Sequence, residues 1–417
     1  LLLFSFSAAA VWILYFYKKL FRMKKIVPSL IFLCFSLIAL AQTNELPHWE
    51  TKEEKALKRW HQFTTPIMDR FTPAPPPNPV RHLAEWEELE ALVINWRIPS
   101  YNSIYREIIR HAKEEVRVIV FVASEAAKTS AINNLMSNGI DLDNVEFIVK
   151  ANDTVWIRDY GPQSVYANDV EDQYIIDWIY NRPRPLDNAI PLEVGEYLDL
   201  PVYATTEAPD DLVHTGGNFL SDGLGTGFSS KLVLEENGPG NDFNAGPHSE
   251  AEIDEMMNTY MGIERYIKMN TLPYDEIHHI DMHMKLLDEE TIMMGQYPSG
   301  IADGPTIEAN LNYVLSNFNS AFGKPYKVVR IQMPPEDGKY PHNGGDYRTY
   351  TNSVFVNGTI LVPTYEEQFD TTALRIYREN FPGYKVVGIN CNSIITQLGA
   401  LHCITKEVGV NDPLWIV

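Results

Sequence analysis

Two hydrophobic spacings alternate along most of the chain. In SEAEIDEMMNTYMG (249–262) apolar residues recur at three- and four-residue intervals. Ser249 stands as an N-cap and Glu252 completes a capping box, so a helix is predicted. The strand-like RYIKMN follows, then the polar-headed HHIDMHMKLL, then TIMMGQY. The order repeats downstream: TIEANLNYVLSNFNSAFG leads to YKVVRIQM, YTNSVFV and TILVPTY, and TTALRIYRENFPG leads to YKVVGIN and QLGALHCIT. Upstream, EAAKTSAINNLMSNG leads to VEFIVK and VWIRDYGPQSVYA, and a less regular unit carries LVHTGGNFLSDG.

About five helix–strand–motif–strand units therefore follow one another at roughly 50–70 residues. Their polar motifs fall at equivalent places: Asp159, Asn218, the His279/Asp281 pair, Asn352 and Cys403. Modules set around an axis bring equivalent points to one end of it. The pattern thus predicts a cyclic α/β propeller with these motifs converging. An open doubly wound α/β sheet is the rival.

Composition refines this. Hydrophobic residues make up 45% of 417, ordinary for a sizeable core. The formal charge of −21 argues against nucleic acid and anionic membranes as partners, and is compatible with a cationic substrate. MKKIVPSLIFLCFSLIALAQ, from Met23, has a basic start, a short apolar run and the small-x-small site Ala39-Leu40-Ala41. A signal peptide is expected over 23–41, with 1–22 an upstream extension and the mature protein periplasmic or secreted, without stable membrane insertion. Loss of residues 1–41 would take five basic residues and no acidic ones, bringing the charge to about −26. Residues 42–79 read as a polar segment ending in the polyproline-like linker TPAPPPNP, and 80–417 as the catalytic body.

Each motif has more than one reading. If HHIDMH is a strand, His279, Asp281 and His283 share a face. That face suits a metal, a hydrogen-bonded strand end, or an acid/base with a substrate anchor. Asp159, in DTVWIRDYGP, is a ligand position at a strand end, or a partner of Arg158, or a turn cap. Gly216-Gly217 read best as a turn, and Asn352 as entering a strand. Arg182 and Arg184, in YNRPRP, form a carboxylate clamp or two solvated charges. Cys391 and Cys403 pair as a disulfide in an exported protein, or Cys403 stays free as a nucleophile.

Taken together, WIRDYGP, HTGGN, HHID, YTN and GALHCIT, in this order, resemble the agmatine deiminase / bacterial peptidylarginine deiminase family of the guanidino-group-modifying superfamily. HLAEWEELEALVINW (82–96) resembles its opening module. The resemblance covers residues 80–410 and implies the five-bladed α/β propeller known as the pentein fold. It implies Cys403 as nucleophile, His279 as general acid/base, Asp159 and Asp281 as guanidinium-binding carboxylates, and Asn352 as a supporting polar group. Trp156 would line the substrate pocket. No metal or organic cofactor is implied.

That assignment suits the chemistry. A guanidinium is a planar cation with paired N–H donors, which two carboxylates can hold by charge-assisted hydrogen bonds. A thiolate attacks its carbon, and a histidine protonates the departing ammonia and then activates water. The substrate is expected to be C-terminal arginine of a peptide, giving citrulline. Arg182 and Arg184 resemble the arginine pair with which the peptidylarginine branch grips the substrate carboxylate. Agmatine, giving N-carbamoylputrescine, is the alternative, and a metal-dependent hydrolase a further one.

Overall fold

Among the described residues there are five sheets, one for each unit read from the hydrophobic pattern. The computed structural model describes residues 46–58, 71–168, 172–243 and 245–411. The expected signal peptide and upstream extension lie outside the described residues. No helix among those described is long and apolar enough to cross a membrane.

Three sheets share one simple plan: an antiparallel hairpin, a helical crossover, then a parallel third strand. They are Leu220–Ser221, Thr226–Ser230 and Arg265–Met269; Met284–Asp288, Thr291–Gln296 and Lys327–Gln332; and Val354–Val356, Thr359–Thr364 and Lys385–Asn390. The other two elaborate the plan. In one, Val80–His82, Gln163–Ala167, Gln173–Tyr180 and Val202–Thr205 run side by side. In the other, Leu89–Asn95, Arg117–Val122 and Val145–Val149 are parallel. The first of these pairs antiparallel with Thr405–Gly409, so strands from both ends of the repeat series meet in one sheet. This is the closure that a propeller requires and an open doubly wound sheet lacks.

The crossovers explain the apolar strands. Arg117–Val122 is buried at five of its six positions, because helices and neighbouring sheets cover both faces. The helix Asn102–Ala112 buries Ile104, Tyr105, Ile108, Ile109 and Ala112 along one stripe. Each large apolar side chain so buried contributes about 1.5–3 kcal/mol. In the helix Glu250–Met261 the capping box forms as the sequence implies, Ser249 accepting from the Glu252 N–H. Gly262 ends that helix at φ 67°, and a Cβ there would overlap the Val80 carbonyl.

The N-terminal segment departs from expectation. Pro47–Val417 forms one compact unit, so residues 47–58 join the body that was expected to begin at 80. Part of the linker is also fixed. Phe71–Thr72 pairs with Val202–Tyr203 at one edge of a sheet, and Val80–His82 lies at the other edge. The proline stretch therefore crosses that sheet. Four interstrand steps span about 19 Å, within reach of the eight residues from 72 to 80.

Candidate active site

One turn per sheet, placed just before the hairpin strand, delivers a polar side chain. Asp159 lies in the helical turn Ile157–Tyr160, Asn218 in Gly216–Asn218, Asp281 in Ile280–Met282 and Cys403 in His402–Ile404, while Asn352 precedes Val354–Val356. All five are buried. The turn at 280–282 is a 3-10 helix, not a strand. The expectation that His279, Asp281 and His283 share one face therefore fails, since alternate residues of such a turn diverge. Among the described residues, the grouping whose ligand atoms lie close enough for a metal ion is His48, Asp159 and His279, within 4.8 Å.

Asn352 organises the surroundings of Cys403. Its Nδ2 lies 3.1 Å from Cys403 Sγ. Its Oδ1 accepts from the backbone N–H groups of Ala400 and His402 at 3.2 and 3.0 Å. Cys403 Sγ is 3.7 Å from Asp281 Oδ2. Burial first, and then the Asp281 and Asp159 carboxylates, push its thiol well above the usual range. Cys391 and Cys403 are both free and buried, so the disulfide reading falls.

Asp281 is oriented by His402, whose Nδ1 lies 2.7 Å from Asp281 Oδ2 and whose Nε2 lies 2.7 Å from Glu85 Oε1. Thr351 donates to the Asp281 carbonyl at 2.9 Å. Glu85, in the opening module, also binds Lys285 at 2.5 Å. Neither His402 nor Glu85 stood out as a site residue in the sequence. The one signal was His402 adjoining Cys403. Arg158 does not pair with Asp159: its guanidinium binds Glu407 at 2.6 Å and its Nε donates to the His402 carbonyl at 3.1 Å. Asn218 turns to structure, accepting from the Ser230 N–H at 2.8 Å.

Asp159 faces a residue that the sequence did not flag. His48 Nε2 is 2.7 Å from Asp159 Oδ2, and His48 Nδ1 is 2.7 Å from the Leu398 carbonyl oxygen. The His48 ring stacks on Trp156 with centroids 4.3 Å apart at 7°, and meets the His279 ring edge-on at 4.9 Å. His279 Nδ1 is 3.6 Å from Asp159 Oδ1, and His279 Nε2 is 3.3 Å from Thr215 Oγ1. Burial would raise the Asp159 pKa, but His48, His279 and Arg182 hold it well below the usual carboxylate range. Burial lowers His279 to about 3, against the pull of Asp159. Asp159 Oδ1, Asp281 Oδ1 and His279 Nδ1 are buried without a hydrogen-bond partner. Two acceptor oxygens awaiting donors suit a multi-donor cation.

Both arginines are buried, which excludes solvated charges. Arg184 is 1% exposed. Its Nε donates to Glu54 Oε1 at 2.7 Å and its Nη2 to the Pro47 carbonyl at 2.8 Å. Its Nη1 lies 3.3 Å from the Tyr180 hydroxyl, which lies 3.4 Å from Asp159 Oδ2. Arg182 Nη1 donates to the Asn181 carbonyl at 3.0 Å, and the residue lines a cavity of about 700 Å³ with Trp49, Glu236, Asp275, Ile277 and His278.

Residues 81–408 match the family of Porphyromonas-type peptidyl-arginine deiminases. A putative agmatine deiminase of Mycoplasma mycoides is 26% identical over 359 residues, spanning 78% of this chain and 94% of its own. The solved putative arginine deiminase of Porphyromonas gingivalis covers 79% of this chain and 98% of its own, at 20% identity and a TM-score of 0.66. Agmatine deiminase of Enterococcus faecalis covers 79% and 95%, at 19% identity and 0.67. The two solved structures show the pentein fold.

Proposed function

Because the chain belongs to the Porphyromonas-type peptidyl-arginine deiminase family, and so is a hydrolase acting on guanidino groups, we propose that its substrate is arginine at the C-terminus of a peptide. The observation that carries this is Arg184: a buried guanidinium one tyrosine hydroxyl away from Asp159. A cation fixed there attracts a carboxylate at the far end of the substrate and repels the ammonium of agmatine. The cavity beside Arg182 leaves room for the preceding peptide residues.

In the proposed reaction, Asp159 and Asp281 accept the guanidinium N–H groups and Trp156 packs against its plane. The arriving cation lowers the pKa of the Cys403 thiol, which burial and then the two carboxylates had raised. The thiol gives its proton to His279 as Sγ attacks the guanidino carbon, and His279 passes that proton to the departing nitrogen as its C–N bond breaks, so that it leaves as ammonia. The thiouronium so formed is attacked by water, the C–S bond breaks, and the product is the ureido group of citrulline. Asn352 holds Sγ in line throughout. The metal-hydrolase alternative loses its ligand set with the 3-10 turn at 280–282.

Agmatine is the second reading, favoured by the names of the relatives, putative agmatine deiminases at about a quarter identity. Ammonia release from a peptide ending in arginine, the same peptide amidated, and agmatine separates the two. Turnover confined to the free-carboxylate peptide supports the proposal, and preference for agmatine overturns it. We further propose that the leader read over 23–41 exports the enzyme to the periplasm or outside the cell; recovery of the protein in the cytosolic fraction alone would refute export, and an exported N-terminus before residue 42 would refute cleavage after Ala41.

A further inference from the structure

Residues 47–57 sit in the site as a substrate would. Both ring nitrogens of His48 face oxygens that can only accept, the Leu398 carbonyl and the ionised Asp159 carboxylate, each at 2.7 Å. Only a ring donating from both nitrogens satisfies both, and a doubly donating imidazole is a planar cation. It lies flat on Trp156 and occupies the carboxylate assigned to the guanidinium.

Six residues on, Glu54 places its carboxylate against Arg184. Oε1 accepts from Nε at 2.7 Å, and Oε2 is 3.3 Å from Nη2. The geometry is a forked one, of the kind an α-carboxylate would make. The segment is pre-shaped for this. Glu54 Oε2 also accepts from the Thr51 N–H at 2.8 Å, closing the capping box of the helix Lys52–Leu57. Lys58 anchors the far end, its ammonium 3.9 Å from the Phe243 ring centroid.

We infer that residues 47–57 are a built-in occupant of the active site, His48 standing for the guanidinium and Glu54 for the α-carboxylate. Substrate enters only when this segment withdraws. The Glu54 half of the inference rests on the C-terminal-arginine reading, whereas the His48 half does not. Gly399 shows how closely the occupant fits, since a Cβ there would overlap Trp156 and come within 3.2 Å of His48 Nδ1.

The test uses the full mature chain and two readouts. One is the rate at which iodoacetamide alkylates Cys403, followed by mass spectrometry. The other is kcat/KM on the peptide ending in arginine and on agmatine. His48→Ala removes a charge-assisted hydrogen bond and a stacked ring, so alkylation is expected to accelerate about tenfold or more. Glu54→Gln keeps its shape and is expected to accelerate it less. Added peptide of sequence PHWETKEEKAL should slow alkylation of His48→Ala again. Unchanged or slower alkylation in a cooperatively melting His48→Ala protein, with lower kcat/KM, would make His48 a working part of the site and overturn the inference. Faster alkylation without ammonia from any guanidino substrate would uphold the occlusion and remove the substrate reading. Turnover with unchanged alkylation would do the reverse.

Discussion

Asn352 and Cys403 are joined twice, once through the side-chain amide to Sγ at 3.1 Å and once through Oδ1 to the backbone that carries the cysteine. The second link makes Asn352 more than a neighbour. It sets where the sulfur sits relative to Asp281. Asn352→Ala is expected to lower kcat by about 10²-fold with a smaller change in KM, by analogy with loss of one pre-aligned donor. Equal losses in kcat for Asn352→Asp and Asn352→Ala would show that the Nδ2 donor carries the effect, because Asp keeps only the acceptor.

Cys403→Ala should abolish turnover, by about 10⁴-fold or more, because it removes the atom to which the carbon bonds. Intact-mass analysis of Cys403→Ala with substrate should show no adduct. An adduct on another residue would displace Cys403 from its role.

Arg184 supplies the test of specificity. Arg184→Gln should raise KM for the peptide ending in arginine by roughly 30-fold or more, the cost of truncating a buried charge partner. Its effect on agmatine should be small or favourable. Equal losses on both substrates would mean that Arg184 acts only by holding Glu54.

Gly217 admits His279. A Cβ at this position would overlap His279 Nδ1. Gly217→Ala should therefore displace the imidazole and lower kcat without unfolding the protein, which a thermal melt alongside kinetics will show.

The burial of His214 makes its own contribution to stability fall with acid. His214 is buried, stacked on Trp178, and lowered by burial to about 4. Its unfolded value is about 6.5, so the unfolded chain binds the extra proton between these values. The neutral form's stability is complete above about pH 6.5 and is lost as pH falls toward 4, worth at most about 3 kcal/mol. The Asp159 carboxylate, depressed below its ordinary value, adds a loss at still lower pH. Measured side by side from pH 8 to pH 4, the Tm advantage of wild type over His214→Gln should be constant above about pH 6.5 and shrink as pH falls toward 4.

Much of the fold was legible because its period is written in apolar residues. The capping box at Ser249 and Glu252 and the strand RYIKMN both folded as their spacing implies. The five turn positions were legible for the same reason, since a repeat places them. What escaped had no period. His48 sits in a polar stretch without apolar spacing, and only tertiary contact reveals that its ring is buried against Trp156. Glu85 and His402 escaped because they reach Asp281 from units distant in sequence, His402 directly and Glu85 through His402. HHIDMH misled because Ile280, Met282, Met284 and Leu286 alternate as in a strand, whereas the backbone turns at His278, with φ 57°.

Pairing between Thr405–Gly409 and Leu89–Asn95 has a consequence in time. During synthesis the ribosome releases Asp159, His279, Asp281 and Asn352 well before residue 403. By the proposed mechanism, a nascent chain can assemble the carboxylates and the acid/base, yet lacks the nucleophile until the strand after Cys403 has found the strand begun more than 300 residues earlier, at Leu89. A product truncated before residue 403 would therefore lack the proposed nucleophile, however complete the rest of its site.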